Sequence, residues 1–299
     1  FKQKTAYEIR LSLVGSEMCI RDRVNGVAVV SRPVERDDWA GQPIAFIDLD
    51  DQVRAELARR WSRDALLEHA SVAAFARFVL DLLAVGAPPD MLRAAEGAIA
   101  DEIDHAGRCF ALASRYAGES IGPGPLAVGG AEAVPTRAAI ALRVLEEGCV
   151  GETTAALLAQ RAFEHATDPE ARRALEIIAR DEAAHAELAY RFIAWAARDV
   201  GTRAVLAGEV DRVLGRRPRP TVWTGPEDPE FIRHGQPGSA FRERVTEEAL
   251  RTIIAPCLAA CLGPATSSRD SCPTGSNSSM RWRHLDRSGD VDGSDVTRA

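Results

Sequence analysis

Lysine is almost missing from this chain. Of 37 basic side chains in 299 residues only Lys2 and Lys4 are lysines, and the other 35 are arginines. Basic charge as a whole is also short. Acids number 44 and the net charge is −7, which with no clustered basic stripe speaks against a nucleic-acid partner held through its phosphates. Arg216, Arg217 and Arg219 read as part of a solvated linker. No apolar run of about 18 residues occurs, so no membrane span is expected. The six cysteines, at positions 19, 109, 149, 257, 261 and 272, form no CxxC pair, which removes a rubredoxin-like iron site and a zinc ribbon. Cys109 and Cys149 lie in apolar helical runs and read as small buried hydrophobes. Cysteine usage leaves the compartment open.

The two lysines fall within the first four residues, a break in composition. Residues 1–24 also resemble translated sequencing-adapter read-through, so they are set aside as an artefactual segment and the true start is expected to be missing. At the other end, residues 264–299 are rich in Ser, Gly, Asp and Arg, show no period and offer little to bury, as in a disordered tail. Their Asp290, Asp292 and Asp295 lack the spacing of an EF-hand, and His284 carries no motif.

Between these ends, 46% hydrophobic content supports one domain of about 150 to 200 residues with extensions. Residues 56–200 are Ala-, Leu- and Arg-rich with a 3.6-residue period. Gly86-Ala87-Pro88-Pro89 and Thr167-Asp168-Pro169 each turn a helical hairpin, and the Gly/Pro-rich connection from Gly118 to Pro135 separates the two halves. An all-α fold of four helices follows, with an N-terminal extension at 25–55 and a helical extension at 201–263, whose amphipathic run Phe241 to Leu262 suits an ordinary fifth helix, a cap or a dimer face.

The two halves repeat one motif. Asp101-Glu102-Ile103-Asp104-His105 and Asp181-Glu182-Ala183-Ala184-His185 each place Glu and His three apart, hence side by side on one helical face. Glu68 precedes Glu102 by 34 residues and Glu147 precedes Glu182 by 35, so each hairpin brings one further acid to the same level. The surrounding stripe is apolar: Val72 and Phe75 flank Glu68, Ile140 and Val144 flank Glu147, and Ile178 and Phe192 flank the last pair. Four carboxylates inside a core would each cost several kcal/mol unless compensated, roughly the penalty for any desolvated ion. Two divalent cations bring four positive charges, and oxygen ligation with two imidazoles suits iron or manganese. Asp101 and Asp181 are placed to receive the second ring N–H of His185 and His105 respectively, the usual support for a metal-bound histidine.

On the third helix Glu146, Glu147 and Glu152 compete. The wheel centres the stripe of Ile140, Val144, Gly151, Thr154 and Leu158 on Glu147, which is taken as the ligand, with Glu152 or Glu146 as an additional carboxylate or a salt-bridge partner. His69 points off the cage face and His165 lies by a turn, where it should be exposed. Tyr116 and Tyr190 do not stand one turn after a ligand histidine, where Cys109 and Ala189 stand, so a stable tyrosyl radical is not expected. Trp195 reads as core.

At these residues the chain resembles the ferritin-like di-iron carboxylate superfamily, whose bundles combine one Glu from each of two helices with Glu-x-x-His pairs from the other two. The likeness covers residues 56–200. Glu68-His69-Ala70-Ser71-Val72-Ala73-Ala74-Phe75 and Glu147-Gly148-Cys149-Val150-Gly151-Glu152-Thr153 look, more narrowly, like a group of bacterial ferritin-like domain proteins. The resemblance implies a ferritin-like four-helix bundle, two iron ions with manganese as an alternative, and ligands Glu68, Glu102, His105, Glu147, Glu182 and His185. The resemblance implies no known substrate; O2 or peroxide, a small-molecule substrate, an electron donor and a homodimer are the expected partners. An iron-oxidising detoxification protein without organic substrate and a metal-free helical interaction module are the alternatives.

Overall fold

A computed structural model describes residues 23–24, 27–28, 30–39, 48–128, 135–215 and 229–263. The expectations for residues 1–22, for Arg216, Arg217 and Arg219, and for residues 264–299 lie outside this set. The described part is mostly helical, as an all-α fold requires, with four very short strands.

Helix α1, Asp51–Ala84, starts where the Asp50 carboxylate accepts from the backbone N–H groups of Gln52 and Val53, satisfying two of the donors that a helix start leaves open. Pro89 opens α2, Pro89–Ala117, and Gly118 in the left-handed region closes it. The second half begins with α3, Arg137–Arg143, capped by Thr136. It continues without a break through a π-helical stretch, Val144–Glu152, into α4, Thr153–His165. Helix α5, Pro169–Ala196, again has proline at its first turn, with Asp168 as its cap. Helix α1 pairs with α2, the π stretch and α4 pair with α5, and α2 packs on α5, so the two Glu-x-x-His helices are neighbours.

The extension is helical and lies on the second half. Helix α6, Val200–Leu214, meets α3; α8, Ser239–Ala249, meets α4; and α9, Ala255–Leu262, meets α5 and α6. Between them, the short α7, Pro229–Arg233, leads into a loop that plugs the end of the helices. There Trp61 Nε1 donates to the His234 carbonyl at 3.2 Å, and Arg60 donates to that of Gln236 at 2.9 Å. Gly235 makes this passage with φ +77°, a conformation that favours glycine, and a Cβ there would press on the Leu175 side chain at 2.9 Å and the Trp61 ring at 3.0 Å.

Strands β1, Arg23–Val24, and β2, Val27–Ala28, pair with each other. Strand β3, Pro33–Glu35, pairs antiparallel with β4, Ile121–Pro123, in the connection between the halves, so part of the Gly/Pro-rich linker is anchored rather than free. Next to β3, the Trp39 ring meets His69 and Phe110 edge-on. His69, partly buried, lies off the cage as its wheel position implies, and His165 is exposed.

The core divides into two apolar clusters. One, around Phe75, Phe78, Leu82, Ile140 and Phe192, lies toward the first hairpin turn. The other, around Leu57, Trp61, Phe110, Ala174 and Ile178, lies toward the opposite end. Asp168 ties that end together: it caps α5 and accepts from Arg115 at 2.8 Å. Burial alone would raise its carboxyl, yet Arg115 and the helix N–H groups hold it below the ordinary range. Asp168→Ala should lower stability by about 3 kcal/mol, from a lost cap and a stranded arginine, seen as a lower Tm. The depressed native pKa means this contribution is present at neutral pH and is lost as pH falls below about 4. The Tm difference between wild type and Asp168→Asn should therefore shrink in acid.

Candidate metal centre

The centre sits between the two apolar clusters, where α1 supplies Glu68, α2 supplies Glu102 and His105, and α5 supplies Glu182 and His185. Glu102, His105 and Glu182 are 0% exposed, His185 3% and Glu68 9%, so all are withdrawn from water and must find compensation within the protein or from an ion.

The side chains form two overlapping groups whose ligand atoms all lie within 4.8 Å of one another: Glu68, Glu102, His105 and Glu182 in one, and Glu102, Glu152, Glu182 and His185 in the other. Each group can hold a metal ion. The shared carboxylates divide their oxygens. Glu102 Oε2 and Glu182 Oε1 stand 4.0 and 3.9 Å from His105 Nδ1, while Glu102 Oε1 and Glu182 Oε2 stand 3.3 and 3.4 Å from His185 Nδ1. Such a pair can serve two cations at once.

The fit to metal can be judged from unsatisfied atoms. Both oxygens of Glu102, both of Glu182 and Nδ1 of each histidine are buried with no hydrogen bond among the described residues. The short His185 contacts lack the alignment of one. Buried polar atoms are nearly always satisfied. Six of them converging on one spot, on residue types that ligate divalent ions, is an arrangement that cations complete.

The opposite ring nitrogens are occupied. His105 Nε2 lies 3.2 Å from Asp181 Oδ2, and His185 Nε2 lies 3.2 Å from Asp101 Oδ2. Each aspartate reaches across from the other Glu-x-x-His helix, fixing the ring so that Nδ1 faces the centre. Asp181 is further gripped by Arg180 at 2.8 Å. Burial would raise its carboxyl, but His105 and Arg180 bring it down to about 2.

The close approach of these buried groups shifts their proton affinities. Burial, then the charge of Glu182, pushes Glu102 and Glu152 well above the usual carboxylate range. Burial would raise Glu182 too, but the neighbouring Glu152, His185 and His105 overcome it and bring it below the ordinary range. Burial would likewise depress the imidazoles, yet Asp181 and Glu68 raise His105, and Asp101, Glu102 and Glu182 raise His185.

The third-helix expectation needs correction. Glu147 is only partly buried and belongs to neither group, whereas Glu152 is 0% exposed and belongs to one. Glu146 lies near the surface, paired with Arg212 of α6 at 2.8 Å. The cause is the π-helical stretch. Its i→i+5 hydrogen bonds widen the turn beyond 3.6 residues, so a wheel drawn at α-helical pitch accumulates error. Val144, Gly148 and Glu152 are buried at four-residue intervals and form the inner face. Gly148 and Gly151 within a helical run were the available signal, since such runs are where helices widen or bend. Burial and nearby carboxylates keep the Cys109 thiol neutral, and no cysteine joins either group.

Comparison with family models, curated proteins and solved structures finds no match for this chain. Elemental analysis of three variants tests the ligand set. Glu182→Ala should lose both ions because both groups use it, Glu152→Gln should lose about one, and Glu147→Gln should keep the wild-type content. Retention of full metal by Glu152→Gln would remove that residue from the centre.

Proposed function

We propose that this chain is a ferritin-like di-iron carboxylate protein, a four-helix bundle that activates O2 or peroxide to oxidise a small organic substrate with electrons from a separate donor. The observation that carries the proposal is the overlap of the two ligand groups through Glu102 and Glu182. A lone cation needs only one group. Two groups sharing two carboxylates suit a pair of ions side by side, and the helix usage, single carboxylates from α1 and the third helix with Glu-x-x-His from α2 and α5, is that of the ferritin-like superfamily.

In this reading Glu68 and His105 complete one ion's ligands, and Glu152 and His185 complete the other's. Four carboxylates balance the charge of two divalent ions. Iron at both positions, or manganese at one, would supply the redox electrons and open coordination positions that no side chain here provides. The protein's share is orientation and exclusion. Asp101 and Asp181 hold the imidazoles, the Phe75 ring packs on His185 with centroids 4.9 Å apart, and the apolar clusters on either side keep bulk water out. A dry surround strengthens every interaction between ligand and cation.

Metal content of purified protein, with optical and Mössbauer spectra after exposure to O2, tests this. Two ions per chain, mainly iron, with spectra that change on O2 exposure are the expected outcome, and fewer than about one per chain overturns the proposal because the cage is built for two. Uptake of iron far beyond two per chain, in a large multi-subunit particle, would replace it with the iron-detoxification function.

A further inference from the structure

Glycine weakens a helix interior, and Gly148 lies in one, in the middle of the π stretch. A Cβ built there would stand 2.6 Å from the Cβ of Ala189 and 3.8 Å from its Cα. The first distance is shorter than side-chain carbons tolerate, and neither atom sits at the end of a flexible side chain that could swing away. The third helix and α5 therefore touch through bare backbone on one side and a methyl group on the other. By contrast Gly97 of α2 has nothing within 4 Å of its missing Cβ, so a close approach is not a general property of this chain's helical glycines.

The place of this contact matters more than its tightness. Gly148 stands four residues before Glu152 on the buried face of the π stretch, and Ala189 stands four residues after His185 on α5. Glu152 and His185 are the two residues that only the second ligand group uses. The contact thus lies about one turn from both, on the two helices whose spacing sets whether the Glu152 carboxylate reaches Glu182 and Nδ1 of His185. The other group draws on α1, α2 and α5 alone.

We propose that Gly148 is a positioning residue: its missing side chain, seated against Ala189, sets the approach of the third helix and so delivers Glu152 to one of the two metal positions. The inference rests on the two-metal function above and adds an asymmetry to it, since only the position served by Glu152 and His185 depends on this contact. Gly148 itself touches no ion.

Metal titration of the full chain, loaded with Fe(II) under anaerobic conditions and followed by elemental analysis and circular dichroism, tests this. Gly148→Ala should fold, keep one ion as wild type does, and hold the second roughly tenfold or more weakly, the scale seen when support of a metal ligand is lost. It should match Glu152→Gln in this respect. Gly97→Ala should keep both. The double variant Gly148→Ala/Ala189→Gly, which moves the methyl group to the other helix, should recover the second ion. That recovery distinguishes positioning from general helix damage. Two wild-type affinities in Gly148→Ala would overturn the inference and leave the two-metal function standing. Failure of the double variant to recover the second ion, or its failure to fold if Gly148→Ala also cannot, would overturn it as well. Wild-type protein that binds no iron would overturn the function and this inference together.

Discussion

Charge compensation in a dry interior is the constraint on which the rest of this structure depends. Glu68, Glu102, Glu152 and Glu182 meet two imidazoles in a layer bounded above and below by apolar clusters. Water cannot solvate them there, and removing any partner leaves charge exposed to low dielectric. The helices hold this layer by devices unrelated to metal: proline at the first turn of α2 and α5, aspartate caps on α1 and α5, and left-handed glycines at turns. The packing of the two ends and the polar layer in the middle therefore rest on different residues, so the two can be separated experimentally.

What could be read in the sequence follows from how regular each segment is. The doubled Asp-Glu-x-x-His was legible because α2 and α5 are ordinary α-helices, where a three-residue step fixes a shared face, and the same regularity made the crossing Asp–His pairs legible. Hairpin turns were legible from Gly and Pro. The choice of Glu147 went astray because the third helix is not ordinary over Val144–Glu152, and periodicity arguments assume a pitch that this segment lacks. The β3–β4 pairing was invisible for a different reason: three-residue strands, two of whose six residues are proline and one glycine, show no alternation to detect. Helix α1 begins at Asp51 rather than near residue 56 because Asp50 caps it, a local signal that hydrophobic periodicity does not register.

The two halves resemble each other in helix order but differ where it counts for the centre. Glu68 comes from an unbroken α-helix and keeps slight access to solvent, whereas Glu152 comes from a widened helix and has none. Asp181 is held by Arg180 and largely covered, while Asp101 is substantially exposed. Two ions bound here would therefore sit in unlike surroundings despite a near-repeat in sequence.

The crossed arrangement of the aspartates has a consequence for assembly. Each hairpin carries a histidine whose Nε2 meets an acid borrowed from the opposite hairpin, so neither half presents a finished coordination face in isolation. If the proposed ions bind here, they would meet an ordered site only once the two halves have docked, and the energy of capture would count toward keeping them together. Under the proposed function, loading and tertiary closure would then reinforce each other, with the metal as the last-placed rivet.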